Sequence, residues 1–182
     1  MTCDLQVKDA IKMKKLYENK TNDYIPTLDD GWYVCKILLA VDSEDKEYVY
    51  FVYDICEGEQ KDFFQKEQED VFETKKNLTN RAYLSYKSTG AMTFALQRLD
   101  AISWSNTGFD ARDAWKRASE APDIRSKVEV LKEFEGKVFG AYIEERNVYQ
   151  NGGFKNIKNA VAQMVPADYV RKGLFSNTEE VR

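Results

Sequence analysis

Residues 31–56 have the sequence GWYVCKILLAVDSEDKEYVYFVYDIC, and this stretch decides the fold. Two runs rich in β-branched and aromatic residues, 32–41 and 47–56, flank the polar, turn-forming residues DSEDK. Short runs of this composition on either side of a turn are typical of paired strands. The stretch therefore predicts a β-hairpin that begins an antiparallel sheet.

Alternation along the two predicted strands assigns their side chains to opposite faces of the sheet. The face expected to form the core takes Tyr33, Cys35, Ile37 and Leu39 from the first strand and Val49, Phe51, Tyr53 and Ile55 from the second. The other face takes Trp32, Val34, Lys36, Tyr48, Tyr50 and Val52. Because it combines aromatic rings with a lysine, this second face is the first candidate for a binding surface.

The chain downstream of the hairpin predicts a strand, a helix and a second hairpin. RAYLSYK, from Arg81, is a further strand candidate, and TGAMTFALQRLDAISW has the apolar spacing of a helix capped by Ser88 or Thr89. Before them, residues 57–70 hold six acidic and two basic side chains, which favours a solvated edge or loop. GKVFGAYIEERNVY and FKNIKNAVAQMV, joined by Asn151-Gly152-Gly153, predict the closing hairpin.

This order of elements predicts an α+β fold. Two strands, a strand, a helix and two strands is the order of a five-stranded antiparallel oligonucleotide/oligosaccharide-binding (OB) barrel, with its helix between strands three and four. We expect residues 1–28 to form an N-terminal helix and linker, and residues 29–176 to form the OB-like domain with a helical insertion at about 107–134. Residues 177–182 are expected to be a frayed tail.

Composition excludes several kinds of active site. The 182 residues include no histidine, which removes the commonest general base and the commonest zinc ligand. The three cysteines, Cys3, Cys35 and Cys56, match neither a disulfide framework nor a zinc motif. No apolar run approaches the roughly 18 residues of a membrane span, and no signal peptide is evident. We expect a cytoplasmic, non-enzymatic protein without metal or cofactor and without a membrane partner.

Six short stretches together resemble a family of phage and prophage proteins from Gram-positive bacteria that are described as single-stranded-DNA-binding-like. The stretches are GWYVCKI, FVYDICEGEQKDFF, AISWSNTGFD, FEGKVFGAYIEE, the NGG turn and VRKG, in this order between about residues 30 and 175. Each is weak alone, but their succession with plausible gaps is moderately specific. The resemblance implies a barrel-like fold and a role in replication or recombination.

The resemblance and the sheet face together predict a non-enzymatic phage accessory protein that binds nucleic acid, single-stranded DNA above all. Such binders pair cationic side chains with aromatic rings on which bases stack. The residues expected to bind nucleic acid are Trp32, Lys36, Tyr48, Tyr50, Lys155 and Lys158. The competing interpretation is that the tyrosines form a second core beneath the N-terminal helix or residues 107–134.

Two further functions remain open at this point. Phage genes of this kind occur beside counter-defence genes, so the chain is alternatively an anti-CRISPR protein that binds a Cas9-type nuclease complex of the bacterial host. An acidic patch of Glu57, Glu59, Glu67, Glu69 and Asp70 would then contact the cationic channel of the nuclease. The third alternative is a metal-dependent nuclease built on Asp54, Glu57, Glu59 and Lys61, although these residues are closer together in sequence than such sites require.

Overall fold

Five antiparallel strands form one sheet in the computed structural model, which describes residues 25–43, 47–67 and 79–175. The strands are β1 (Gly31–Asp42), β2 (Tyr48–Ile55), β3 (Arg81–Ser85), β4 (Val138–Gln150) and β5 (Gly153–Val165). The helices are α1 (Phe63–Glu67), α2 (Thr89–Ser105), α3 (Ala111–Ser119), α4 (Ile124–Leu131) and α5 (Ala167–Arg171), with a 3-10 turn at Lys132–Phe134. The helix predicted near the N-terminus and the tail 177–182 lie outside the described residues.

The order of strands across the sheet is β3-β2-β1-β4-β5, with every neighbouring pair antiparallel. This confirms the predicted α+β class and antiparallel sheet. The closed barrel is not confirmed, because the described parts of β3 and β5 form no ladder with each other and leave the sheet open between them. β3 has only five residues, and a side chain of α2 occupies hydrogen-bonding positions on both edges.

The first hairpin forms as predicted, and the second strand buries the predicted face. Val49, Phe51, Tyr53 and Ile55 are all buried in the core. The ring of Phe51 packs on Phe134, with centroids 5.0 Å apart. The centre of the core is therefore the β1–β2 pair, with the helical segment packed against it.

The prediction for Leu39 is wrong because β1 contains an irregularity. The register with β2 shifts between Ile37 and Leu39, so that Ile37 pairs with Tyr53 but Leu39 pairs with Val52. An extra residue in a strand reverses the alternation beyond it. Leu39 therefore shares the outer face with Val52, and Ala40, which pairs with Phe51, packs against the core instead.

The interpretation of residues 57–70 as a solvated edge or loop is right for the exposed turn at 57–61 and wrong for 63–67, while 68–70 lie outside the described residues. Within this stretch the chain turns and then forms α1, whose Phe64 is fully buried against the ring of Tyr53. The carboxylate of Asp54 accepts hydrogen bonds from the backbone N–H groups of Phe64 and Gln65, both at 2.9 Å. An aspartate at the end of β2 thus caps the helix that follows it. The highly charged segment also contains one buried apolar residue, Phe64, which holds it to the core.

The helix α2 begins and ends where its sequence predicts. The Ser88 hydroxyl accepts a hydrogen bond from the N–H of Ala91, as an N-cap does, and Gly108 takes a positive φ of 80° just beyond the helix. Its buried residues Leu99 and Ile102 hold it against the sheet. None of the described helices is long and apolar enough to cross a membrane.

The second hairpin turns at the predicted position and extends past the sheet. Asn151 and Gly152 both have positive φ, 51° and 81°, as a two-residue hairpin turn requires. Pairing of β1 with β4 reaches only to Ile143, so the chain beyond it forms a two-stranded arm. Near the tip of this arm the exposed rings of Tyr149 and Phe154 contact each other.

Candidate nucleic-acid interface

Three tyrosines form a cluster on the outer face of β2 and β3, and we call this cluster the tyrosine face. Tyr48 and Tyr50 lie on β2, and Tyr83 pairs with Tyr50 from β3. The ring of Tyr83 lies 5.3 Å from that of Tyr48 and 6.0 Å from that of Tyr50, centroid to centroid. Tyr83 is 46% exposed, so the cluster has a ring surface available to a planar ligand.

Arg81 adds a positive charge to the tyrosine face. Its guanidinium lies over the ring of Tyr50, 4.5 Å from the centroid. Alternation along β3 puts Arg81, Tyr83 and Ser85 on the same side of the strand. A cation over an aromatic ring, next to a second exposed ring, is the combination that binds a base and its phosphate.

A cleft of about 650 Å³ lies where the sheet is open, between β3, α2 and β5. Arg81 and Tyr83 line it from β3, and Ala91, Phe94, Ala95 and Arg98 line it from α2. Among the described residues that line the cleft, none is acidic and five are cationic: Arg81, Arg98, Arg146, Lys155 and Lys158. The cleft and the tyrosine face are continuous, because Tyr83 and Arg81 contribute to both.

Two of these cations are partly neutralised by carboxylates outside the cleft. Arg146 pairs with Glu144 at 2.7 Å, and Lys158 pairs with Glu145. Lys155 forms no ion pair within the described parts of the chain. Arg98 and Lys155 have no carboxylate partner among the described residues, so the cleft lining carries positive charge although the whole chain has a formal net charge of -4.

Arg98 joins the two open edges of the sheet. Its guanidinium donates to the carbonyl of Tyr83 on β3 at 2.8 Å and to the carbonyl of Val161 on β5 at 2.9 Å. Burial lowers the pKa of Arg98, and the nearby charge of Arg146 lowers it further. An arginine remains protonated despite such a shift, so Arg98 contributes a fixed charge to the wall of the cleft.

Four of the six residues predicted to bind nucleic acid meet in this region. Tyr48 and Tyr50 belong to the tyrosine face, while Lys155 and Lys158 line the cleft from β5. They are more than 100 residues apart in sequence, and the fold connects them through Tyr83, which contacts both tyrosines and lines the cleft. The structure therefore places the basic and aromatic parts of the prediction side by side.

The other two, Trp32 and Lys36, lie elsewhere on β1. Trp32 is nine positions from Val41, the partner of Tyr50, or about 30 Å along an extended strand. Its ring stacks on Phe175 at 4.4 Å, well away from the tyrosine face. Lys36 pairs across the sheet with Asp54 and is also outside the residues that line the cleft.

The predicted acidic patch is only partly within the described residues. Glu57 and Glu59 are exposed in the turn after β2, and Glu57 forms an ion pair with Arg171 of α5 at 2.6 Å. Glu67 is the last residue of α1, and its side chain is not described. Glu69 and Asp70 lie outside the described residues. The structure thus assigns Glu57 an intramolecular partner.

Two of the three carboxylates of the nuclease alternative, Asp54 and Glu57, have structural partners. Asp54 accepts backbone hydrogen bonds from Ile55, Phe64 and Gln65, and burial raises the pKa of its carboxyl. Within residues 25–43, 47–67 and 79–175, no group of three or more potential ligands could hold a metal ion. Asp54 is better described as the cap of α1 than as a metal ligand.

The cysteines of the described residues are poor nucleophiles. Cys35 is fully buried, and burial raises the pKa of its thiol well above the usual range. Burial also raises the pKa of Cys56, and the charge of Glu57 adds to the shift. Because a thiolate is the reactive form, both shifts lower the reactive fraction of each thiol.

Several residues of the interface were missed by sequence reasoning. Tyr83 and Arg81 had a local signal, since they alternate within RAYLS beside Tyr48 and Tyr50. Phe94 and Arg98 had none, because their helix was expected to pack against the sheet and nothing local showed that one side faces an opening.

Comparison of the chain with protein-family models and with curated proteins finds no match.

Proposed function

We propose that this protein binds single-stranded nucleic acid, most favourably DNA, along the tyrosine face and the cleft. The observation that carries the proposal is their continuity: Tyr83 and Arg81 belong to both surfaces, so stacking rings lead directly into a cationic cleft. Binders without sequence preference use this combination of a positive groove with exposed aromatic rings. No catalytic group is required, and we propose a purely binding role.

A single strand fits this surface better than a duplex does. Tyrosine rings gain energy from bases only when the faces of those bases are exposed, and a duplex buries them in its own stack. The cationic side chains of the cleft line a space of about 650 Å³, on a chain whose formal net charge is -4. A local cationic track of this kind follows one backbone and does not cover two.

We further propose that the sheet is an open form of an OB barrel. Its strand order and the position of α2 between β3 and β4 are those of that fold, and Arg98 bridges the two strands that a closed barrel would pair. The resemblance to phage single-stranded-DNA-binding-like proteins supports the same function and a role as a phage accessory protein.

Fluorescence anisotropy with labelled single-stranded DNA, the matching duplex and the matching RNA tests the proposal. Replacing Tyr48, Tyr50 and Tyr83 by alanine should weaken binding of the single strand by about 1 to 3 kcal/mol for each base that loses its ring. Tyr169→Ala is the matched control, because Tyr169 is also exposed but does not line the cleft. The triple variant should leave the weaker duplex binding unchanged.

Absence of any shift with a labelled oligonucleotide at low salt would overturn this function. The anti-CRISPR alternative is then tested with the same protein by guided DNA cleavage with a Cas9-type nuclease. Inhibition without oligonucleotide binding would identify the nuclease as the partner. In that case charge reversal at Glu57 and Glu59 should slow association more than the tyrosine changes do.

A further inference from the structure

The helix α2 presents an exposed aromatic ring to the cleft. Phe94 is 69% exposed and lines the cleft from α2. The described residues leave this ring uncovered beside a cationic lining, where a flat ligand would gain free energy by covering it.

Small and cationic side chains line the cleft together with Phe94. Ala91 and Ala95 lie one turn apart on α2, and their small side chains line the cleft beside Phe94. Arg98 lies one turn after Phe94, and Arg146 and Lys155 line the same cleft from β4 and β5. A flat apolar group and an adjacent anion are the two parts that this space would accommodate.

We infer that a nucleic-acid strand leaves the tyrosine face at Tyr83, crosses the open edge of the sheet and enters the cleft, where one unstacked base packs on Phe94. The inference rests on the proposed function and adds a second stacking position on the helix. The phosphates beside this base face Arg146 and Lys155. The binding track therefore includes the opening between β3 and β5 in addition to the outer face of the sheet.

The same helix provides a matched control for this inference. Trp104 is 78% exposed, which is more than Phe94, but it belongs to a different, smaller depression formed with Met164 and Tyr169. An aromatic ring on α2 that promoted binding only through non-specific hydrophobic contact would act equally well from either position. A ring that stacks on a base in the cleft acts only from position 94.

The test measures affinity for a labelled oligothymidine of about 12 nucleotides, within the usual site size of a single binding domain. Phe94→Ala should weaken binding about 5- to 150-fold, the range expected for loss of one stacked base. Phe94→Tyr should bind like the parent, and Phe94→Leu should resemble Phe94→Ala, because stacking requires a ring. Trp104→Ala should bind like the parent.

Thermal unfolding of each variant shows whether the fold is retained, which an exposed site should permit. Equal binding by the parent and Phe94→Ala, with binding still lost in the tyrosine triple variant, would overturn the inference and leave the proposed function standing. Loss of binding in Phe94→Ala but not in Phe94→Leu would overturn stacking as its basis. If the parent binds no oligonucleotide, the proposed function itself is wrong.

Discussion

The guanidinium of Arg98 donates a hydrogen bond to the carbonyl of Val161 at 2.9 Å, across the opening of the sheet. With its other amino nitrogen it holds the carbonyl of Tyr83, so one helical side chain ties together the strands β3 and β5. Arg98 thus gives one carbonyl on each strand a donor, beside the cleft that we propose as the nucleic-acid site.

Removing this bridge should destabilise the protein. Arg98→Ala leaves two strand carbonyls without their donor, which should lower the free energy of unfolding by about 1 to 3 kcal/mol. Arg98→Lys should recover only part of the loss, since an ammonium lacks the fork that reaches both carbonyls. Denaturation in guanidinium chloride measures the change.

Arg112→Ala is the control for that measurement. Arg112 pairs with Asp100 on the exposed side of α2, and both side chains are well solvated. Water screens an exposed pair of this kind, so Arg112→Ala should change the free energy of unfolding very little. If the losses for Arg98→Ala and Arg112→Ala are equally small, the bridge does not hold the edges.

The core at Phe51 should be the most sensitive to truncation. Phe51 is 0% exposed and lies between Ala40 and Ala82 in the sheet with Phe134 above it. Phe51→Ala should lower the free energy of unfolding by about 3 to 5 kcal/mol. Phe154→Ala, which truncates a ring that is 82% exposed on the arm, should change it by no more than about 0.5 kcal/mol. A Phe51→Ala variant that melts like the parent would contradict our assignment of the core.

The salt dependence of binding should show whether phosphates of the bound strand contact the cleft. Each phosphate contact on a single strand contributes about 0.7 to the slope of log affinity against log salt concentration. Lys155→Gln should reduce the slope by about that amount. Lys172→Gln, an equal change at the end of α5 and outside the cleft lining, should leave it unchanged. Equal slopes for the two variants would place the phosphates elsewhere.

Asp54 should make stability depend on pH in a defined direction. Burial raises the pKa of its carboxyl, and the hydrogen bonds from Phe64 and Gln65 offset only part of the shift. Because the folded-state pKa exceeds the unfolded value, the contribution to stability is fully present below the unfolded pKa. It is lost as pH rises through the folded pKa.

Comparison with Asp54→Asn isolates this contribution, since the amide does not titrate. Below the ordinary carboxyl pKa of 3.8, the free energy of unfolding of the parent should exceed that of the variant by the largest margin. This margin should narrow as the pH rises toward neutral. Urea denaturation across this pH range measures the margin. A margin that widens with pH would show that the three N–H donors outweigh burial.

Local patterns in the sequence by themselves determined the strands, α2 and the turns. Alternation between Val49 and Ile55 depends only on neighbours two residues away, the cap at Ser88 on residues three away, and the Asn151-Gly152 turn on its own backbone angles. Interactions of such short range are visible in a linear chain. They also indicated that aromatic and basic side chains would gather on one sheet.

Only the tertiary structure decided which of these side chains meet. The bulge that turns Leu39 outward, the burial of Phe64 within a charged segment and the separation of Trp32 from the tyrosines all depend on how distant strands and helices align. The cleft has the same origin: α2 brings Arg98 between two strands that are far apart in sequence, and no local period records that contact. Because strand order and the open edge are properties of long-range packing, the cationic cleft is determined by the fold.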